Sequence, residues 1–362
     1  MSYNDIRRTT RIIKIKDKAI GGNNDVLIQS MTNTETANYK ATIEQIRALE
    51  AAGCDIVRIT VPDIASVDTV RKIKAENINI PVVADIHFDY RIALECVKAG
   101  IDKIRINPGN IGEEWKVKEV ADACKSAGVP IRIGVNSGSL EKHILEKYGS
   151  PTPEALAESA FYHASLLEKF NFNDIVISVK SSDVRNMILT NRIIASRCDY
   201  PIHLGVTEAG DSYSGLVKSS AGIGSLLCDG IGDTIRVSLT ADPIEEIRAG
   251  KELLNSLGFY SKGGIKIVSC PTCGRTKINL IDLSAAFRKA IDGFDTKGKT
   301  IKVALMGCVV NGPGEARECD IGIAGGKGEA VLFKNGEIIK KIPEKEIIST
   351  LLNELHKIVD EK

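Results

Sequence analysis

A short β-branched run, a polar loop and an amphipathic helical stretch recur along most of this chain, and that recurrence limits the fold more than any other feature. The runs lie at residues 26–31, 55–60, 81–86, 103–106, 131–135, 174–179, 201–206 and 234–239. They are continuously apolar rather than alternating, as expected of parallel strands buried on both faces. Helical patterns at 42–52, 64–76, 153–169, 182–197, 215–228 and 243–257 separate them. Eight βα units in about 250 residues match a TIM (β/α)8 barrel. A doubly wound sheet is the competing arrangement, but it usually needs fewer strands, and no Gly-x-Gly-x-x-Gly follows the first run. Residues 1–25 read as polar and mixed, with a turn at Gly21-Gly22-Asn23-Asn24.

The texture changes near Gly258-Phe259-Tyr260. The expected division is a barrel over 1–258 and a smaller α+β domain over 259–362. In the second part, 266–269 and 302–306 read as strands, each running into a cysteine-bearing loop, with a helix at 283–292 between them. Residues 330–333 and 337–342 flank Asn335-Gly336, a strong hairpin signal. An amphipathic helix at 344–359 closes the chain. Gly322 to Gly328 reads as a turn and not as a phosphate loop, because no Ser or Thr follows Lys327 and the glycine spacing is wrong.

With 48 Lys and Arg against 47 Asp and Glu, the net charge is +1, so no global field recruits nucleic acid or a membrane surface. An anionic ligand must be held by a local cluster of cations. The first eight residues have no apolar run behind them, so neither a signal peptide nor a membrane span is expected, and a cytoplasmic setting is. Thiols stay reduced there, so the nine cysteines do not imply a disulfide framework. Cys54, Cys96, Cys124, Cys198 and Cys228 fall in helical patterns or at helix–strand junctions and read as small buried hydrophobes. Cys319 stays ambiguous.

In a TIM barrel, chemistry sits at the C-terminal ends of the strands. Those ends are polar here: Gln29-Ser30-Met31-Thr32, Asp85-Ile86-His87, Asn107-Pro108-Gly109-Asn110, Asn136-Ser137-Gly138-Ser139, Lys180-Ser181-Ser182 and Thr207-Glu208-Ala209-Gly210. Arg58, Arg105, Arg132 and Arg236 lie within the runs. A single such arginine reads as half of an ion pair. Four of them, with Lys180, outnumber the candidate acidic partners Asp85, Glu208 and Asp242. A shared anionic ligand explains the surplus, and guanidinium forks match phosphate oxygens. Glu208 then stands as a carboxylate suited to proton transfer, or as an arginine partner. His87 is an acid candidate or a core histidine.

The second domain carries Cys270-Pro271-Thr272-Cys273-Gly274-Arg275 and Met306-Gly307-Cys308-Val309-Val310-Asn311-Gly312-Pro313-Gly314-Glu315. A Cys-x-x-Cys and a third cysteine on turn-rich loops can converge on one metal centre. The third loop argues against a thioredoxin-like redox pair. The pattern leaves open an iron–sulfur cluster held by three cysteines and one other ligand, and a structural zinc in an interaction module.

These two loops resemble the signature of the 4-hydroxy-3-methylbut-2-en-1-yl diphosphate synthase family. The resemblance extends through Gln29-Ser30-Met31-Thr32, residues 53–58, 84–88, 105–110, 134–139 and 205–210, and so spans nearly the whole chain. It implies a [4Fe–4S] cluster on Cys270, Cys273 and Cys308, with Glu315 as the fourth ligand. It implies reduction of 2-C-methyl-D-erythritol 2,4-cyclodiphosphate. The substrate's diphosphate would lie against Arg58, Arg105, Arg132, Asn136, Lys180, Arg236 and Ser238, with Glu208 at proton transfer and His87 as a further catalytic candidate. It implies flavodoxin or ferredoxin as electron donor, and a homodimer in which the cluster domain of one subunit caps the barrel of the other.

Overall fold

The computed structural model describes residues 6–260, 262–309 and 317–361. The chain forms two compact units that divide after Tyr260.

The first unit is a parallel barrel. Its strands are β3 (Leu27–Met31), β4 (Ile56–Thr60), β5 (Val82–Asp85), β6 (Lys103–Ile106), β7 (Ile131–Asn136), β8 (Ile175–Lys180), β9 (His203–Leu204) and β10 (Thr234–Ile235). They hydrogen-bond in the order β8-β7-β6-β5-β4-β3-β10-β9, and a parallel bridge between Ile177 and Ile202 closes the ring. The helices are α1 (Tyr39–Ala51), α2 (Ile64–Ala75), α3 (Tyr90–Lys98), α4 (Pro108–Ile111), α5 (Glu114–Ala127), α6 (Lys142–Tyr148), α7 (Pro153–Glu168), α8 (Val184–Arg197), α9 (Ser212–Cys228) and α10 (Pro243–Ser256). Short polar side chains start many of them: Asn38, Asp63, Asp89, Asn107, Thr152, Asp183, Asp211 and Asp242 each accept a bond from a first-turn amide. One aliphatic core joins the outer strand faces to these helices.

The sequence reading assigned no element to the polar N-terminal segment. It forms an antiparallel hairpin, β1 (Ile13–Ile15) with β2 (Lys18–Ile20). Ile13, Ile15 and Ile20 pack against Leu27, Ile56, Val83 and Val176. Leu27, Ile56, Val83 and Val176 are among the first residues of their strands, so the hairpin plugs the N-terminal end of the barrel with apolar contacts. The two last barrel strands are shorter than their apolar runs, because the ladder between them ends soon after Leu204, whose carbonyl accepts from Arg236 N at 2.9 Å.

The second unit is a mixed five-stranded sheet in sequence order: β11 (Gly264–Ser269), β12 (Thr300–Met306), β13 (Ile321–Gly325), β14 (Glu329–Lys334) and β15 (Glu337–Pro343). β11, β12 and β13 run parallel, and β13, β14 and β15 antiparallel. Helices α11 (Leu280–Ala290) and α12 (Ile347–Asp360) cover one face through Leu280, Phe287, Leu351 and Leu355. On the other face Ala304, Met306, Cys319, Ala324 and Phe333 form a smaller cluster. The sequence reading of Gly322 to Gly328 as a turn is corrected for its first half: Gly322 and Gly325 lie in the central strand β13. Gly322 is there for space, since a Cβ would come within 2.5 Å of Phe333 Cζ. The cysteine reading also needs correction. Cys54, Cys96 and Cys124 are buried, but Cys198 is half-buried and Cys228 is exposed.

Candidate active site and metal centre

Strand periodicity places Arg58, Asp85, Lys103, Arg105, Arg132, Asn136 and Lys180 on the inward faces of β4 to β8. Arg132 is 1% exposed, Arg105 8% and Lys180 9%. The acidic partners are few. Asp85 lies 3.1 Å from Arg105 Nη1 and 3.7 Å from Arg58 Nε. Burial pushes the Asp85 carboxyl up, but Arg58 and Arg105 outweigh it and hold it below the ordinary carboxylate range. Arg236, just past the end of β10, forms a fork with Glu246 of α10 at 2.9 and 3.0 Å. Glu246 was missed by sequence reasoning, which offered Asp242. Asp242 instead caps α10 through Ile244 N. The available signal was the position of Glu246, one turn into the helix that follows the last strand.

Among the described residues Lys103, Arg132 and Lys180 have no acidic partner within ion-pair distance, and Arg58 has only the long contact to Asp85. The Lys180 side chain has no hydrogen-bond or ion-pair partner among the described residues, and burial, with Arg58 and Arg236 nearby, lowers it well below an ordinary lysine. Lys103 is 1% exposed and lowered in the same way, by burial and then by Arg132. Arg58 donates through Nε and Nη2 to the Met31 sulfur at 3.1 and 2.8 Å, a weak acceptor for a guanidinium. Arg132 donates to Gln29 Oε1 at 2.8 Å, while Arg132 Nε and Gln29 Nε2 are buried without partners. Asn107 Nδ2 is likewise a buried donor without a partner. Gln29 and Asn107 join the candidate set on this ground.

Buried donors without acceptors are expensive, about 1–3 kcal/mol each and more for charged groups. Here the orphans are donors, and the described cations Arg58, Lys103, Arg105, Arg132, Lys180 and Arg236 face the carboxylates Asp85 and Glu246 alone. The chamber can accommodate an anion with several oxygen acceptors. Two glycines make room for its cations. At Gly134 a Cβ would sit 2.2 Å from Arg105 Nε, and at Gly205 one would sit 3.1 Å from Lys180 Nζ.

At the mouth, His87 is exposed, and its Nε2 accepts from Arg105 Nη1 at 2.9 Å. It is therefore not a core histidine. Glu208 is exposed and sits in the left-handed backbone region at φ 51°. That conformation is strained for a glutamate, and such strain concentrates at working sites. Asn136, the last residue of β7, and Ser238, three residues past the end of β10, are half-buried.

In the second unit the two cysteine loops interlock through backbone bonds. Cys270 N donates to Leu305 O at 3.3 Å, and Lys277 N to Gly307 O at 2.9 Å. Gly307 N donates to Cys270 Sγ at 3.3 Å, which sets that sulfur beside the residue preceding Cys308. Cys273 is exposed, and the Arg275 amide and side chain lower its thiol below the ordinary range. Among the described residues no three Cys, His, Asp or Glu side chains converge in a metal-binding geometry. Glu315 lies outside the described residues. Cys319 packs in the apolar cluster, and burial raises its thiol. The donor chemistry suits an iron–sulfur cluster: one sulfur already accepts an amide N–H, and a second is biased toward thiolate.

Family models match both units: the GcpE TIM-barrel domain over residues 10–251 and the GcpE protein C-terminal domain over 266–357. This chain belongs to the GcpE family. Its relatives include the 4-hydroxy-3-methylbut-2-en-1-yl diphosphate synthase (flavodoxin) of Fusobacterium nucleatum, 56% identical over 98% of both chains. The protein of that name from Clostridium tetani is 56% identical over 97% of this chain and 99% of its own. The one from Geobacter sulfurreducens is 53% identical over 99% of this chain and 100% of its own. The cationic chamber lies within the GcpE barrel match, and the cysteine loops lie within the GcpE C-terminal match. Among the described residues no helix is long and apolar enough to cross a membrane.

Proposed function

We propose that this GcpE-family oxidoreductase converts 2-C-methyl-D-erythritol 2,4-cyclodiphosphate to (E)-4-hydroxy-3-methylbut-2-enyl diphosphate. Two electrons and two protons open the cyclic diphosphate at a carbon–oxygen bond and release one hydroxyl as water. The observation that carries the reading is the surplus of buried cations and orphaned donors at the C-terminal end of the barrel. Arg58, Arg105, Arg132, Lys180 and Arg236 hold the diphosphate oxygens, with Asn136 and Ser238 as neutral contacts. Gln29 and Asn107 supply the unpaired amide donors. Ionised lysines are favoured once the anion is beside them, so Lys180 becomes a full partner on binding. Glu208, exposed at the mouth, carries the proton to the departing oxygen, and His87 shares a hydrogen-bond chain with Arg105.

Cys270, Cys273 and Cys308, with Glu315, would hold a [4Fe–4S] cluster, which supplies the electrons. The relatives' names point to flavodoxin as the donor. The working unit is a homodimer in which the barrel of one subunit is served by the cluster domain of the other, and the compartment is the cytoplasm.

The test is anaerobic. The purified chain should carry about four iron and four sulfide and absorb broadly in the visible. With reduced flavodoxin it should turn the cyclodiphosphate into the open diphosphate. One zinc and no sulfide would return the second unit to a structural role. A fully loaded cluster without turnover would remove the substrate assignment.

A further inference from the structure

His163 on α7 has no place in the chemistry above, yet it stands behind the chamber in a defined geometry. Its side chain is fully buried, and its Nε2 lies 2.5 Å from Glu141 Oε1, a close polar contact that misses hydrogen-bond alignment. Its Nδ1 accepts from Gly109 N at 3.2 Å. An acceptor at Nδ1 fixes the ring proton on Nε2, facing the carboxylate. Glu141 occupies the N-cap of α6 but gives no capping bond to it, so its carboxylate is turned to the imidazole instead. Burial pushes the Glu141 carboxyl up, but His163 prevails and brings it down to about 2. Gly109 must be glycine, because a Cβ there would sit 2.6 Å from His163 Cε1.

The two ends of this strut belong to different loops. Gly109 lies in the loop after β6, two residues past Asn107. Its N–H is shared between His163 and Asn107 Oδ1, the latter at 3.1 Å. That bond turns the Asn107 oxygen toward Gly109 and leaves Asn107 Nδ2 as the buried, unpartnered donor. Glu141 ends the loop after β7, five residues past Asn136. α7 packs against both α4 and α6, so the ring bridges the two loops from behind.

We infer that His163 is a positioning residue: with Glu141 it ties the loop after β6 to the loop after β7 and so presents Asn107 and Asn136 to the bound diphosphate. The inference rests on the diphosphate reading of the chamber. Its function is to hold geometry, because an ångström of misplacement at a binding group carries a large kinetic penalty.

His163→Leu fills the volume without the Gly109 hydrogen bond and the Glu141 contact, and His163→Asn keeps an acceptor near the Nδ1 position. In the cluster-loaded full chain, His163→Leu should raise KM for the cyclodiphosphate about tenfold and leave kcat within about threefold. His163→Asn should recover much of the loss. Hydrogen exchange at the Gly109 amide should speed up in the leucine variant and slow again in the asparagine variant. An unchanged KM and unchanged Gly109 exchange in a folded, cluster-loaded His163→Leu would reduce the residue to core filling. If that variant does not fold, His163→Asn with protected Gly109 exchange and wild-type KM supports the inference, and the same variant with unprotected exchange and wild-type KM overturns it. Should the wild type fail to turn over the cyclodiphosphate, the substrate assignment falls by itself. The strut is then read from the Kd of inorganic pyrophosphate, which should weaken in His163→Leu and would refute the strut if equal to wild type.

Discussion

Gly134 shows how one absent methyl group shapes the site. Its φ is not in the left-handed region, so alanine is tolerated by the backbone there. The obstacle is the Arg105 guanidinium, whose Nε, Nη2 and Cζ would lie 2.2, 2.5 and 2.7 Å from the new Cβ. Arg105 would have to leave Asp85 and His87. Gly134→Ala should therefore raise KM for the cyclodiphosphate at least about tenfold while lowering stability by about 1–3 kcal/mol, the range for overpacking. A KM equal to wild type would show that Arg105 does not hold substrate. Sequence reasoning found the arginines, because a charge inside an apolar run stands out. It did not find Glu246, since the pairing of that residue with Arg236 depends on how α10 returns over the barrel end. Gln29 and Asn107 were noted at strand ends, but what marks them as candidates is a buried amide donor without a partner, which depends on the folded packing around them.

Among the elements, the β1–β2 hairpin has the clearest separable task. It seals the N-terminal end of the barrel, while the cationic chamber opens at the other end. Ile15 is 1% exposed and packs in the plug cluster. Ile15→Ala should cost about 2–5 kcal/mol in urea unfolding, as a buried large-to-small change does. KM should stay at its wild-type value, and a rise in KM parallel to the stability loss would mean the plug also shapes the chamber. The hairpin escaped the sequence reading because short strands with lysines between the isoleucines look like a polar segment. The eight barrel strands were legible for the opposite reason, since burial on both faces demands unbroken apolar runs. β13 was hidden by its glycines, which serve close packing against Phe333 and Ala304 and not a turn. Helix starts were legible only in part: those at Ile64, Pro153 and Pro243 were read correctly, whereas α1, α9 and α11 begin three residues before the expected 42, 215 and 283, because their first turns follow the capping residues Asn38, Asp211 and Asn279 and not the apolar pattern.

For the whole molecule, the proposed division of labour makes a quantitative statement. Glu208→Gln should leave the cluster in place and abolish proton transfer. Cys273→Ala should leave the barrel intact and lose the cluster. Each variant alone should be nearly inactive. If a working site takes its barrel from one subunit and its cluster from the other, a mixed dimer contains one complete site: the barrel of the Cys273→Ala chain served by the cluster of the Glu208→Gln chain. Random exchange of equal amounts makes half the dimers mixed, and half the sites in those are complete, so activity should return to about a quarter of wild type. A site built within one chain predicts no recovery, because every chain then lacks either the carboxylate or the cluster. Recovery that grows with time of subunit exchange, and disappears when the dimers are cross-linked before mixing, would tie the result to assembly. The two-unit organisation of the chain is readable from the sequence because the βα period stops where the cysteine loops begin. Which subunit's loops serve which barrel is not a property of any local pattern, and this mixing experiment decides it.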